Sequence, residues 1–230
     1  MKYSIFVCLI AFTSAILATP CATGQAPALR QGVSVQLALT NSAAAFPDAD
    51  NEDAWIIAVT AEGRLYFGVT PVTPEQLQEE MKVTPRHRDA RLYIKADART
   101  PFAALNQALL AAHNAFFETV VLLAQQRQNV SSEPFLQPYG LEVGLALPSA
   151  KAILLQLRDS GGSIPEVKVN DEELPWSGLK NALAQASAGQ SRKIVVIEAE
   201  ESLSAAQLIS AIDLSRSIGA HIAISLIGSQ

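Results

Sequence analysis

Cysteine is nearly absent: Cys8 and Cys21 are the only two in 230 residues. A chain trimmed after Gly24 would hold none, so no disulfide could staple it even in an oxidising compartment. Histidine is as scarce. His87, His113 and His221 fall on a basic loop, a helix and a strand entry, and none has a neighbour at metal-ligand spacing. Positive charge is short too, with 17 Lys and Arg against 22 Asp and Glu for a net charge of −5. That deficit excludes a general nucleic-acid binder, which needs surplus cations to neutralise phosphates; Arg86-His87-Arg88 is a small local patch. No G-x-S-x-G elbow, phosphate-binding glycine-lysine loop or G-x-G-x-x-G after a strand occurs. The acidic stretch Asp48, Asp50, Glu52, Asp53 has Asp53 where a calcium loop wants glycine and Val59 where it wants glutamate. The expectation is a non-enzyme with no cofactor and no metal.

Long apolar runs are also missing. The longest, Ile5 to Ala18, has 14 residues, short of the roughly 20 that a spanning helix prefers. With Lys2 before it and Ala22-Thr23-Gly24 after it, residues 1–24 read as a cleaved signal peptide, the alternative being an uncleaved N-terminal anchor. Cys21 suggests a lipid-anchor site, but Pro20 before it fits such a site poorly.

What is present is a repeat. RLYIKADARTPFAALNQALLAAHNAFFETVVLLA (Arg91 to Ala124) is echoed by IVVIEAEESLSAAQLISAIDLSRSIGAHIAISLI (Ile194 to Ile227), and the offset 200 − 97 = 103 aligns both without a gap. In each, an apolar run meets an acidic turn, a helix and a second apolar run, the pattern of parallel strands joined by a crossover. Thr100 stands at an N-cap position with Pro101 at the first helical turn, and Ser204 with Gln207 has capping-box spacing. Gly219 sits where a helix end wants a left-handed residue; Phe116 holds the matching place, so Asn114 is expected to end the first helix.

The repeat extends backwards. GVSVQLAL from Gly32 alternates with Val33, Val35, Leu37 and Leu39 on one face, and GLEVGLAL from Gly140 is its counterpart. Trp55 to Val59, a Glu62-Gly63 turn and Leu65 to Phe67 form a hairpin, followed by a Thr73-Pro74-Glu75-Gln76 capping box. The second half replays this with Ile153 to Leu157, a Gly161-Gly162 turn, Val167 to Val169, and a helix burying Trp176, Leu179 and Leu183. The predicted fold is α/β, two tandem small domains, each a mixed sheet with two helices in the order β-β-β-α-β-α-β. Domain one spans 25–126, a linker 127–139, and domain two 140–230.

From GVSVQLAL through AEGRLYF and VTPEQL to RLYIKADARTPFAALNQALL, the chain resembles the periplasmic domain of the ExbD/TolR family of biopolymer-transport proteins, with a fainter likeness over Gly140 to Ile227. The resemblance implies a domain facing the periplasm beside a proton-driven motor, with ExbB/TolQ-type, TonB-like or peptidoglycan partners. It also implies pairing of two such domains, here as an internal pseudo-dimer. Family members carry an aspartate in a membrane helix, whereas Tyr3 to Pro20 contains no Asp, Glu or His. The reading is therefore an exported, non-enzymatic interaction module in the periplasm. The alternatives are an inner-membrane-anchored subunit of such a complex and, remotely, a periplasmic enzyme.

The candidate partner-binding residues are Lys95, Asp97, Arg99, Pro101 and Glu200. Asp97 and Glu200 both follow a strand and precede a helix N-terminus, where a carboxylate gains from the helix dipole. The basic neighbours Lys95 and Arg99 favour domain one as the contact for an acidic partner. That contact is expected at an edge strand, beside an exposed segment Thr40 to Asp53 able to cover or free it.

Overall fold

The computed structural model describes residues 29–85, 90–127, 137–145 and 152–228. Residues 1–24, the Arg86-His87-Arg88 patch and most of the expected linker lie outside these.

The first half contains β1 (Leu39–Thr40), β2 (Ala44–Ala45), a 3-10 turn (Pro47–Asp50), β3 (Trp55–Val59), β4 (Leu65–Phe67), β5 (Thr70–Val72), α1 (Pro74–Val83), β6 (Leu92–Ala96), α2 (Phe102–Asn114) and β7 (Thr119–Gln126). The second contains β8 (Tyr139–Leu145), β9 (Ile153–Arg158), β10 (Glu166–Val169), β11 (Glu172–Leu174), a 3-10 turn (Trp176–Gly178), α3 (Leu179–Ala186), β12 (Ile194–Ala199), α4 (Ala205–Arg216) and β13 (His221–Ile224). The α/β class is as the sequence predicts, with β5 and β11 as short third strands that it did not reveal. Both expected capping boxes form: Gln76 N–H donates to Thr73 Oγ1 at 3.2 Å and Gln207 N–H to Ser204 Oγ at 3.3 Å. Each glutamine's Oε1 accepts from the cap's own N–H.

Among the described residues one mixed sheet runs in the order β11-β10-β9-β12-β13-β8-β7-β6-β3-β4-β5. Within each half the crossover strands are parallel; β7 and β8 join the halves in an antiparallel ladder from Thr119↔Gly144 to Ala124↔Tyr139. One apolar core against α1 to α4 runs through both halves, from Ile57 and Phe102 to Leu208 and Ile224. The halves are thus not separately cored.

GVSVQLAL is not the strand its alternation suggests. Only Leu39 and Thr40 pair, with Gln125 and Gln126, and Leu39 is 46% exposed while Ala38 and Thr40 are buried. The place beside β7 that this segment would take is filled by β8. Displaced from the sheet, the segment packs Leu29, Leu37 and Ala49 on the sheet's second face against Ile56, Tyr93, Val121 and Leu123, while Ala38 and Ala43 between them join the helix-side core. Thr40 to Asp53 is accordingly not a free flap: Ala43 and Ala49 are buried. The Thr40-Asn41-Ser42 turn is held by Asp213 of α4, whose Oδ1 accepts from Thr40 Oγ1 and Ser42 Oγ at 2.5 Å and from Ser42 N–H at 2.7 Å. Burial alone would raise the Asp213 pKa, but these hydroxyl and amide donors outweigh it and hold it below the usual range.

Candidate functional site

The strand-to-helix loops of the two halves meet. Phe102 N–H donates to Leu203 C=O at 2.6 Å, and Ala205 N–H to Thr100 C=O at 2.7 Å. Ala103 N–H donates to Glu201 C=O and Ala206 N–H to Ala98 C=O, each at 3.0 Å, with Pro101 and Ser204 bridged antiparallel. Adding 103 to the first-half partner of one bond and subtracting 103 from its second-half partner gives the other bond, with donor and acceptor halves exchanged. The first N–H groups of a helix have no intrahelical acceptor; here four of them end on the other half's loop. That use leaves them unavailable to an anion, the ligand such ends otherwise attract.

Thr100 does not cap α2 as its position predicts. Its hydroxyl donates to Thr60 C=O at 2.9 Å and Val59 C=O at 3.3 Å, while Pro101 takes the N-cap place. This buried hydroxyl is spent on the two carbonyls, and the first amides of α2 go to Leu203 and Glu201 instead.

Asp97 and Glu200 are placed alike by the backbone, accepting Thr100 N–H and Leu203 N–H at their carbonyls, but their side chains differ. Asp97 is buried; its carboxylate accepts from Arg99 Nε at 2.8 Å, Arg99 Nη2 at 3.0 Å and Gln36 N–H at 3.1 Å. The Arg99 guanidinium is the main reason its pKa lies below the usual range. Glu200 is exposed and accepts Asp159 N–H at 2.9 Å. Arg99, with 69% of its side chain exposed, is the reachable cation. It lines a cavity of about 540 Å³ together with Asp159, Gly161, Ser163, Ser202 and Gln207. Pro101 lies in the seam itself.

Lys95 stands apart from that cavity. It is 1% exposed, and its Nζ donates to Gln31 C=O at 2.7 Å beneath the crossing segment. Burial lowers its pKa to about 8, against partial compensation from Asp50. With its ordinary value at 10.5, Lys95 binds fewer protons in the folded than in the unfolded chain between those two pH values. Stability from this residue therefore rises with pH across that window and is flat below it. Chemical denaturation of the wild type from pH 7 to 10 should show this rise, and Lys95→Met should abolish it. An equal slope in both proteins would refute the assignment.

The edges offer little to an extended partner. Beyond β5, Pro71 lacks a donor, and β11 is three residues long with Glu172 and Glu173 at its start. Among the described residues no His, Cys, Asp or Glu gather as a metal-ligating group, and no helix is long and apolar enough to cross a membrane. The sequence missed Gln36, Asp213 and the Ala98, Thr100, Glu201 and Leu203 carbonyls, since backbone acceptors leave no trace in residue identity.

A mixed α/β sheet with βα units joined at their helix starts defines the class of the fold. The chain belongs to the ExbD/TolR family: the model for Biopolymer transport protein ExbD/TolR matches residues 5–127, just over half of it. The family is envelope-associated and takes part in biopolymer transport. No curated protein matches the chain significantly.

Proposed function

We propose that the chain is a non-enzymatic interaction module of a biopolymer-transport machine in the cell envelope, built of two ExbD/TolR-type units, 25–126 and 140–230, paired internally as a pseudo-dimer. The supporting observation is the reciprocity of the seam: residue i of one half contacts j of the other, and the equivalents of j and i do the same, as in a twofold interface. The partners are ExbB/TolQ-type or TonB-like proteins, with peptidoglycan as a further candidate. The contact centres on Arg99, with Pro101 and Glu200 shaping its surroundings and Asp97 holding the guanidinium; Lys95 takes no direct part and fixes the crossing segment at Gln31. Export with loss of about the first 24 residues belongs to this reading. Retention of the N-terminal run as an inner-membrane anchor is a second reading, favoured by the family match beginning at Ile5, where that run starts.

Because the halves share a core, the test uses the full chain. Tagged protein captured from an envelope preparation should be monomeric by light scattering and should bring down transport-complex subunits. Arg99→Glu should reduce that recovery several-fold. Undiminished recovery would move the contact away from the seam, and a tight dimer would overturn internal pairing. The bait's N-terminal mass separates the two readings: intact Met1 in membranes means an anchor.

A further inference from the structure

β13 joins its two neighbours unequally. It pairs with β12 from Ile194↔His221 to Ile197↔Ile224, but with β8 only through Ala223↔Gly144 and Ile224↔Leu145. Nearer the start of β8, the same side of that strand pairs with β2 at Tyr139 and Gly140. Between these two contacts no described strand lies opposite Glu142. The next step of the parallel ladder would carry the Ile222 N–H to Glu142 C=O. That carbonyl instead accepts from Arg216 Nη1 of α4 at 3.0 Å. Ile222 is buried, and its N–H is left without a ladder acceptor. Such an amide is rare, and an acceptor brought from outside would satisfy it.

A cavity of about 640 Å³ opens in this gap, lined by Glu142, Gly144, Arg192, Arg216, His221 and Ile222 among others. Arg216 ends α4, Gly219 at φ +76° turns the chain back, His221 opens β13, and Arg192 leads into β12. Arg192 and His221 are exposed and Arg216 is half-buried. Among the described residues, no salt bridge engages any of the three.

Charge selects the ligand. The segments leading into β9, β12 and β13 at this end are 146–152, 187–193 and 214–220. They carry Lys151, Arg192, Lys193 and Arg216 and no Asp or Glu. Residues 127–138, ahead of β8, hold one Arg and one Glu, which cancel. Asp213, one turn before Arg216, is already filled by the donors of Thr40, Asn41 and Ser42. Glu118 adjoins Thr119 of the lining, and Lys193, whose Nζ donates to Ile218 C=O at 3.0 Å, adjoins Arg192. The lining itself sets two arginines against Glu142. A single negative charge matches that balance, whereas a dianion would meet the glutamate. The planar fork of a guanidinium fits a carboxylate, and the volume is that of a small-molecule site rather than of a bare ion. We propose that the gap between β8 and β13 binds an organic monocarboxylate about the size of a dipeptide. Arg216 and the Ile222 N–H receive the carboxylate, with Arg192 and His221 beside them. The site is apart from the seam at Arg99 and does not depend on it.

The test is calorimetric titration of the full chain with N-acetyl-alanyl-leucine, with the same dipeptide amidated at its C-terminus, with acetate and with inorganic phosphate. The free acid should bind and shift the Ile222 amide resonance, and the amidated form should not. Arg192→Ser should weaken binding about tenfold, the equivalent of one charge-assisted hydrogen bond, at an unchanged thermal midpoint because this side chain is exposed. Glu142→Gln should act in the opposite sense and tighten binding several-fold by removing the opposing charge. Octanoate, of similar length without peptide groups, tells a chain end from a simple organic acid. No binding of the free acid, equal binding of its amide or of acetate, tighter binding of phosphate, or no gain from Glu142→Gln would overturn the proposal.

Discussion

Phe102→Ala should cost about 3–5 kcal/mol, the range for truncating a fully buried phenylalanine. Phe102 is 0% exposed and is the first residue of α2, so its ring enters the shared core where its N–H crosses the seam to Leu203. The matched residue in the second half is Ala205, also 0% exposed, which carries only a methyl. The aromatic volume at the seam is therefore supplied from one side, and no relaxation of a symmetric partner can replace it. Urea denaturation should show one transition moved to lower urea, with both halves unfolding together because the core is continuous. Two separated transitions, or a loss under about 1 kcal/mol, would mean that the halves do not depend on each other through this residue.

The parts legible in the sequence were those decided by near neighbours. Capping boxes at Thr73 and Ser204, the left-handed Gly219 and the strand-helix-strand units are local patterns, and they formed as read. The end of α2 at Asn114 followed from asking what Phe116 could not do easily; the structure answers that it does it anyway, at φ +65° and under strain. The missed features depend on segments far apart in the chain. Lys95 looked like a surface cation at the end of a strand, but it shares a face with Tyr93 and Asp97, and a segment about 60 residues away crosses that face to cover it. Asp213 drew no reading from the sequence, because its donors come from 171 to 173 residues earlier. The fate of GVSVQLAL had the same origin: its alternation is sound, but β8 occupies the sheet position it would need.

That displacement makes β8 the strand on which the join of the halves depends, and its two glycines give a paired test. At Gly140 a Cβ would lie 2.5 Å from Val121 Cγ1, 3.1 Å from Leu122 C=O and 3.3 Å from the Phe46 ring. Gly140 pairs with Leu123 on one side and Ala44 on the other, so it is enclosed by β7, β2 and the crossing segment together. At Gly144 the nearest atom to a Cβ is 3.6 Å away, ordinary contact. The same Gly→Ala change should therefore give opposite outcomes. Gly140→Ala should cost about 1–3 kcal/mol by overpacking. Gly144→Ala should be near neutral or slightly stabilising, since alanine narrows the unfolded ensemble without a clash. Hydrogen exchange should show where the Gly140 strain goes: faster exchange of β7 and β8 amides and of the Phe46 N–H that donates to Pro138 C=O at 2.9 Å, with β9 to β12 little changed. If the two alanine variants lose stability equally, the tight approach of β8 to β7 is not what fixes the halves in one sheet.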